Sequence, residues 1–373
     1  MTDATTPRVL ETFLEAVRID SPAGQEARFA AWCAERLRRL GCDVRFDETG
    51  PVSGSDSGNL IAERPGEAEG LTVVLSSHMD TVEPGRGIRP LVEDGVVHTN
   101  RTTILAADDK AGVAAILEAL ERVHEEGAAI APVRVLLTTG EEMGLQGAKV
   151  LSASDCTGDV CLVLDAHGPV GGVVAASPTQ YTFKATFEGI SAHAGVEPEK
   201  GVSAISMAAD AICAMRLGRL DDDTTANVGE IHGGGATNVI AASCMITGEC
   251  RSIDAEKVEA VRREMDDAMQ SAAALAGGKV RLLWTKEYDG YRFGPADSRL
   301  VLVEDACRDV GVTPRRFDTG GGSDANVLAS KGLPSIVLSC GMTDVHSTGE
   351  SVAVSDLVAM ADVVVATLRR AVS

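Results

Sequence analysis

The sequence predicts an α/β fold, a central mixed but mostly parallel sheet flanked by helices, interrupted by an inserted α+β domain. Continuous apolar runs at residues 71–77 (LTVVLSS), 133–139 (VRVLLTT) and 160–164 (VCLVL) suit strands buried on both faces, as in parallel sheets. Between the first two, residues 110–126 carry alanine, leucine and isoleucine at helical spacing, so strand and helix alternate. From about residue 179 to 288 the texture changes. Alternating strands such as YTFKATFEG and CMITGECRSI accompany two long helical patterns, residues 202–215 and 255–275.

The other elements follow in order. Residues 7–18 are apolar on one helical face, and residues 24–40 form a second helix after the Ser21-Pro22 turn signal. Short strands are expected near Val44 and at residues 59–62, ahead of the first buried strand. Beyond the insertion come a helix at 298–310, a short strand near Arg315, the glycine loop 320–322, a strand at 335–338 and a closing helix at 356–370. The main domain is therefore expected to be discontinuous, residues 1–178 and 289–373, with 179–288 inserted. A chain of 373 residues exceeds one usual core, in keeping with two domains.

Composition excludes some functions. With 34 basic against 55 acidic side chains, the formal charge of -21 repels nucleic acid and anionic membranes. No stretch of about 18 apolar residues occurs, and the N-terminus lacks a basic start followed by an apolar run. The nine cysteines are odd in number, without CxxC spacing, and read as reduced. Cytoplasm is the expected location.

The chemistry-bearing residues stand where the apolar strands end. They are HMD at 78–80, ADDK at 107–110, EE at 141 and 142, LDAH at 164–167 and DVHST at 344–348. Open parallel sheets place their sites at the carboxyl ends of their strands. An ionised carboxylate directly after a buried strand is costly to desolvate unless a cation compensates it, and here that situation recurs three times. Two imidazoles with three carboxylates suit two divalent metals sharing one carboxylate. His124 lies in a helical pattern, and His98 and His232 read as strand-end or turn residues, whereas His167 is a candidate to support the ligands. Lys110 suits a carboxylate partner or a helix start better than a nucleophile. No GxSxG arrangement competes.

These motifs resemble the co-catalytic dizinc exopeptidases and deacylases, which include peptidase T, carboxypeptidase G, aminoacylase and succinyl-diaminopimelate desuccinylase. The likeness runs through SSHMDTV, TTILAADDKAGVAAI, LLTTGEEMGLQGAK, VLDAHG, GISAHAGVEPEKG, GATNVIA, GECRSID and GGGSDANVL to the late His346, nearly the whole chain. ADDKAG, EEMGLQGA and SAHAG are most similar to the peptidase T-like group. The tetrahedral aminopeptidases share HxD, DD and EExG motifs but insert a domain between the first histidine and the bridging aspartate. Here only 30 positions separate His78 from Asp108, and the long insertion lies between Asp165 and His346.

The resemblance implies roles. Asp108 bridges two metals, His78 and Asp165 bind one, and Glu142 and His346 bind the other. Zinc is the first expectation, with cobalt or manganese permitted by the same ligands. Glu141 is the general base, and Asp80 orients the His78 imidazole. The Asp108–Asp109 peptide is expected to be cis. His193 resembles an insertion-domain histidine that reaches the partner subunit's active site, which implies a homodimer through the insertion. Arg251 and Asn238 resemble positions that hold the substrate's carboxylate, and the glycine loop is expected to add backbone N–H donors. The implied activity is hydrolysis of small peptides by a tri- or dipeptidase. The alternatives are a deacylase or carboxypeptidase acting on acyl amino acids, and a silent peptide-binding relative, against which the presence of Glu141 argues.

Overall fold

The computed structural model describes residues 6–373; residues 1–5, which the sequence reading gives to the catalytic domain, lie outside that range. The chain forms two compact units. One comprises the chain up to Ala175 together with Phe293–Asp318 and Ser323–Ser373; the other comprises Ala176–Arg292 and Thr319–Gly322. The glycine loop thus groups with the insertion.

In the first unit the main sheet runs in the order Asp43–Phe46, Leu60–Arg64, Val133–Thr138, Val73–His78, Val160–Ala166, Ser335–Ser339, Gly172–Ser177. Its four central strands are parallel and the outer neighbours antiparallel, as the apolar runs predict for a mixed, mostly parallel sheet. Every residue of Val73–His78 is buried, because the strand lies mid-sheet with layers on both faces. The register pairs His78 with Thr138 and Ala166 with Ser339, so the strand ends that carry the motifs finish level with one another. The helix Ala107–Glu125 packs on this sheet and is itself covered by Arg8–Val17 and Val354–Arg370. Val113, Ile116, Leu117 and Leu120 of that helix join Phe13, Leu75, Leu162 and Val364 in one continuous core.

A small antiparallel sheet was not foreseen. It orders Met342–Thr343, Ser351–Ala353, Val96–His98 and Leu91–Glu93. Strands of two or three residues are too short to leave a periodic signal. This sheet anchors both flanks of the loop that carries His346.

The second unit is a five-stranded antiparallel sheet, in the order Gly218–Arg219, Thr224–Gly233, Ser243–Ser252, Thr179–Glu188, Lys279–Tyr288. The helices Ala204–Ala214 and Ala255–Leu275 pack on it through Met207, Ala208, Val258, Met265 and Met269. Period-2 alternation buries Cys244, Ile246 and Cys250 and leaves Met245, Thr247, Glu249 and Arg251 only partly covered. Among the described residues no helix is long and apolar enough to cross a membrane.

Candidate metal centre

Asp108 stands between two imidazoles. His78 Nε2 lies 2.9 Å from its Oδ1, and His346 Nε2 lies 3.2 Å from its Oδ2. Asp165 Oδ1 lies 3.6 Å from His78 Nε2, while Glu142 Oε1 lies 2.9 Å from His346 Nε2. His78, Asp108 and Asp165 therefore form one donor group and Asp108, Glu142 and His346 a second, joined through the Asp108 carboxylate. Glu141 falls within the same reach of His78 and Glu142. Five residues spread from position 78 to 346 thus meet at one end of the sheet.

The local backbone explains how. The Asp108–Asp109 peptide is cis, and both residues depart from helical angles, so the helix pattern expected from Lys110 onward is preceded by a broken first turn. Ala106, Asp344 and His346 have left-handed backbones, which are uncommon for residues other than glycine and recur at functional sites.

Buried carboxylates hold these loops. Glu350 accepts the amides of Leu105 and Ala106 on Oε2 and that of Asp108, at 2.9 Å, on Oε1. Glu26, fully buried, accepts the amides of Gly24 and Gly140 and the Ser55 hydroxyl. Sequence reasoning missed both, since a lone acid in a turn looks like a surface charge. Asp80 touches His78 and does more besides. The His78 Nδ1 atom is closer to the Asp80 backbone oxygen, at 3.0 Å, than to its carboxylate, at 3.4 Å. The Asp80 carboxylate also receives the amides of Glu141 and Glu142, at 2.9 and 3.1 Å, fixing the turn that presents the acid pair. Asp109 accepts from the Ser77 hydroxyl and the His78 amide on one oxygen, and its other oxygen is buried without a partner. Asp324, within the GGGSDAN motif, is buried against the Thr138 hydroxyl.

The electrostatics ask for positive charge. Burial, with the negative charge of Asp165 beside it, pushes Glu141 well above the ordinary carboxyl range. Burial likewise pushes Asp165 up to about 7, against the hydrogen bond from His78. Hydrogen bonds to Asp108 and Glu142 push His346 up to about 10. Burial opposes the His78 imidazolium, but hydrogen bonds to Asp108, Asp165 and Asp80 outweigh it and raise its pKa. An oxygen-rich set with two imidazoles, crowded enough to retain protons, fits divalent cations.

His193, Asn238 and Arg251 lie in the second unit. His193 is exposed, and its Nδ1 accepts the Gly195 amide at 3.1 Å. The Ala194 amide donates to the Asn238 carbonyl at 2.9 Å, so the His193 and Asn238 loops are neighbours. The Arg251 guanidinium fork is engaged by Glu249, at 3.0 and 2.8 Å. In the glycine loop the Gly320 carbonyl faces Arg251, the Gly321 carbonyl accepts from Ser177, and the Gly321 amide donates to the Thr319 hydroxyl. His98 pairs with Glu93, and His232 is exposed near Glu230.

With the geometry in place, the comparisons with known proteins agree. Residues 179–275 match the family described as peptidase dimerisation domain, and residues 59–192 match peptidase family M28. The structure of the aminopeptidase PepT from Bacillus cereus is 40% identical over 98% of each chain, with a TM-score of 0.92. This chain belongs to the peptidase T-like metallopeptidases. A tripeptidase from Staphylococcus aureus is 36% identical over 97% of each chain, with a TM-score of 0.94. Carboxypeptidase G2 from a Pseudomonas species is 28% identical, covering 88% of this chain and 80% of that enzyme. Membership makes the chain a metallopeptidase, built on the mixed sheet with a separate dimerisation domain.

Proposed function

We propose that this metallopeptidase releases amino acids from tri- and dipeptides, using two divalent cations held by His78 with Asp165 and by Glu142 with His346, with Asp108 shared. The observation that carries the reading is the pair of donor groups joined at Asp108, with Glu141 beside them. When bound, such ions polarise a carbonyl and lower the pKa of water towards about 7. Glu141 takes the proton of the attacking water and returns it to the leaving amine, a task for which its place beside both donor groups suits it. Asp80 holds Glu141 in place through the backbone. By resemblance, His193 donates to the developing oxyanion across a homodimer, while Arg251 and Asn238 hold the substrate's carboxylate. For Arg251 that means exchanging Glu249 for the substrate, a competition between two carboxylates for one fork. Zinc is the proposed metal, with cobalt and manganese compatible with the same donors. Nine unpaired cysteines, eight of them buried, support the cytoplasm as its place of work.

Elemental analysis of the purified chain with a panel of tripeptides, dipeptides and N-acyl amino acids tests this reading. Amino acid release from tripeptides with two metals per chain is the expected outcome. Turnover of acyl amino acids alone would make it a deacylase, and no turnover at all would remove the catalytic reading. Sedimentation of a fully active monomer would contradict the role given to His193.

A further inference from the structure

A pocket opens in the first unit beyond the strand that carries Asp165. It encloses about 520 Å³, within the range of small-molecule sites, and its lining is more apolar than polar. One wall is the loop from His167 to Gly172, which follows Asp165 and is held to the Gly341–Met342 segment by hydrogen bonds of 2.8 and 2.9 Å. The facing walls are Val312, Arg315 and Phe317 on one side and Asp356 and Ala359, from the helix Val354–Arg370, on the other.

Two opposite charges in this lining lack partners among the described residues. Asp356 is partly buried in the first turn of its helix, and its carboxylate makes no hydrogen bond or ion pair among the described residues; burial alone raises its pKa. It packs so closely on Gly341 that a Cβ there would stand 2.3 Å from the Asp356 Cβ, so a glycine is what admits the acid to this wall. Arg315 is exposed and pairs with no acid among the described residues, whereas the neighbouring Arg316 is engaged by Glu304. His167, singled out in the sequence as a candidate to support the metal ligands, makes no side-chain hydrogen bond among the described residues and lines this pocket. An unpaired cation and an unpaired, partly desolvated anion flanking apolar side chains match a small zwitterion with an apolar body.

We propose that this pocket binds a free α-amino acid with an apolar side chain, its carboxylate on Arg315, its ammonium on Asp356, and its side chain among Val170, Val312 and Phe317. Titration calorimetry of the metal-loaded full chain with L-leucine tests it, and that readout does not depend on peptide hydrolysis. Arg315→Gln and Asp356→Asn are each expected to weaken binding about ten-fold or more, the scale of one lost charge-assisted contact. Ala359→Phe, which fills the cavity and removes neither charge, is expected to abolish binding. All three variants keep wild-type turnover in leucine-free buffer. Leucinamide, which lacks the carboxylate, is expected to distinguish wild type from Asp356→Asn but not from Arg315→Gln. Equal leucine affinity in wild type and all three variants would place the ligand elsewhere and overturn the proposal, as would the absence of binding at millimolar leucine.

Discussion

Glu141 and Glu142 are adjacent and chemically identical, yet their surroundings divide their work. Glu142 faces His346 at 2.9 Å, whereas Glu141 is half-buried, and desolvation with the nearby charge of Asp165 raises its pKa when no cation is bound. Glu141→Ala is expected to lower kcat by about 10²–10⁴ with metal content unchanged, checked by steady-state kinetics alongside elemental analysis. Loss of metal in this variant would instead make it a ligand. Asp80 gives a second expectation. Asp80→Asn turns an NH₂ towards one of the two amides that the carboxylate now accepts, loosening the Glu141–Glu142 turn. A fall in kcat of about 10–100-fold with little change in KM is expected; a change confined to KM would refute the positioning role. The family resemblance pointed Asp80 at His78, but not at the Glu141 and Glu142 amides, because hydrogen bonds to a distant backbone leave no sequence trace.

At the scale of elements, the close approach of helix to sheet is set by Gly112 in the ADDKAG motif. A Cβ at this position would stand 2.3 Å from the Leu164 carbonyl oxygen. Gly112→Ala is therefore expected to destabilise the fold by about 1–3 kcal/mol in urea denaturation, although alanine is the better helix former by about 1 kcal/mol. A stabilised variant would show that the helix yields freely. Glu350 links elements differently, by tying the turn before Asp108 to the loop after His346. Glu350→Ala leaves three amides without their acceptor, and a loss of about 2–4 kcal/mol with weakened metal retention is expected, read by thermal melts and dialysis. The long strands and helices were legible because burial on both faces or on one helical face imposes a period. The short sheet around residues 91–98 and 342–353 was not, since too few residues take part to show one. The Glu249 clasp on Arg251 was open to inference, because residues two apart on a strand share a face, but the family resemblance pointed the arginine at substrate alone.

For the whole molecule, the acid cluster couples stability to pH and metal. Burial pushes Asp165 and Glu350 up to about 7, so without metal the folded chain holds protons that the unfolded chain has released from about pH 4 upward. Stability of the stripped protein then falls as pH rises from about 4 to about 7. His346, raised to about 10, continues the fall above about pH 6.5, because its favourable charged form is lost as pH climbs towards that value. Bound cations take the place of those protons, so metal is expected to raise Tm more at pH 8 than at pH 5 by roughly several degrees. A stripped protein whose Tm increases across the same window would contradict this account of the cluster. The five clustered acids and imidazoles were legible in the sequence because each stood just past an apolar run or in a loop of a recognisable series. The carboxylates that hold their loops were not, because each acts through backbone far away along the chain.

That distance has a consequence for synthesis. His78, Asp108, Glu142 and Asp165 are complete within the first 165 residues, but His346 and Glu350 follow about 180 residues later. A nascent chain therefore carries the anionic half of its centre long before the residues that close it. Until Glu350 has been made, the amides of Leu105, Ala106 and Asp108 lack their acceptor, so the two donor groups close only once nearly the whole chain is available.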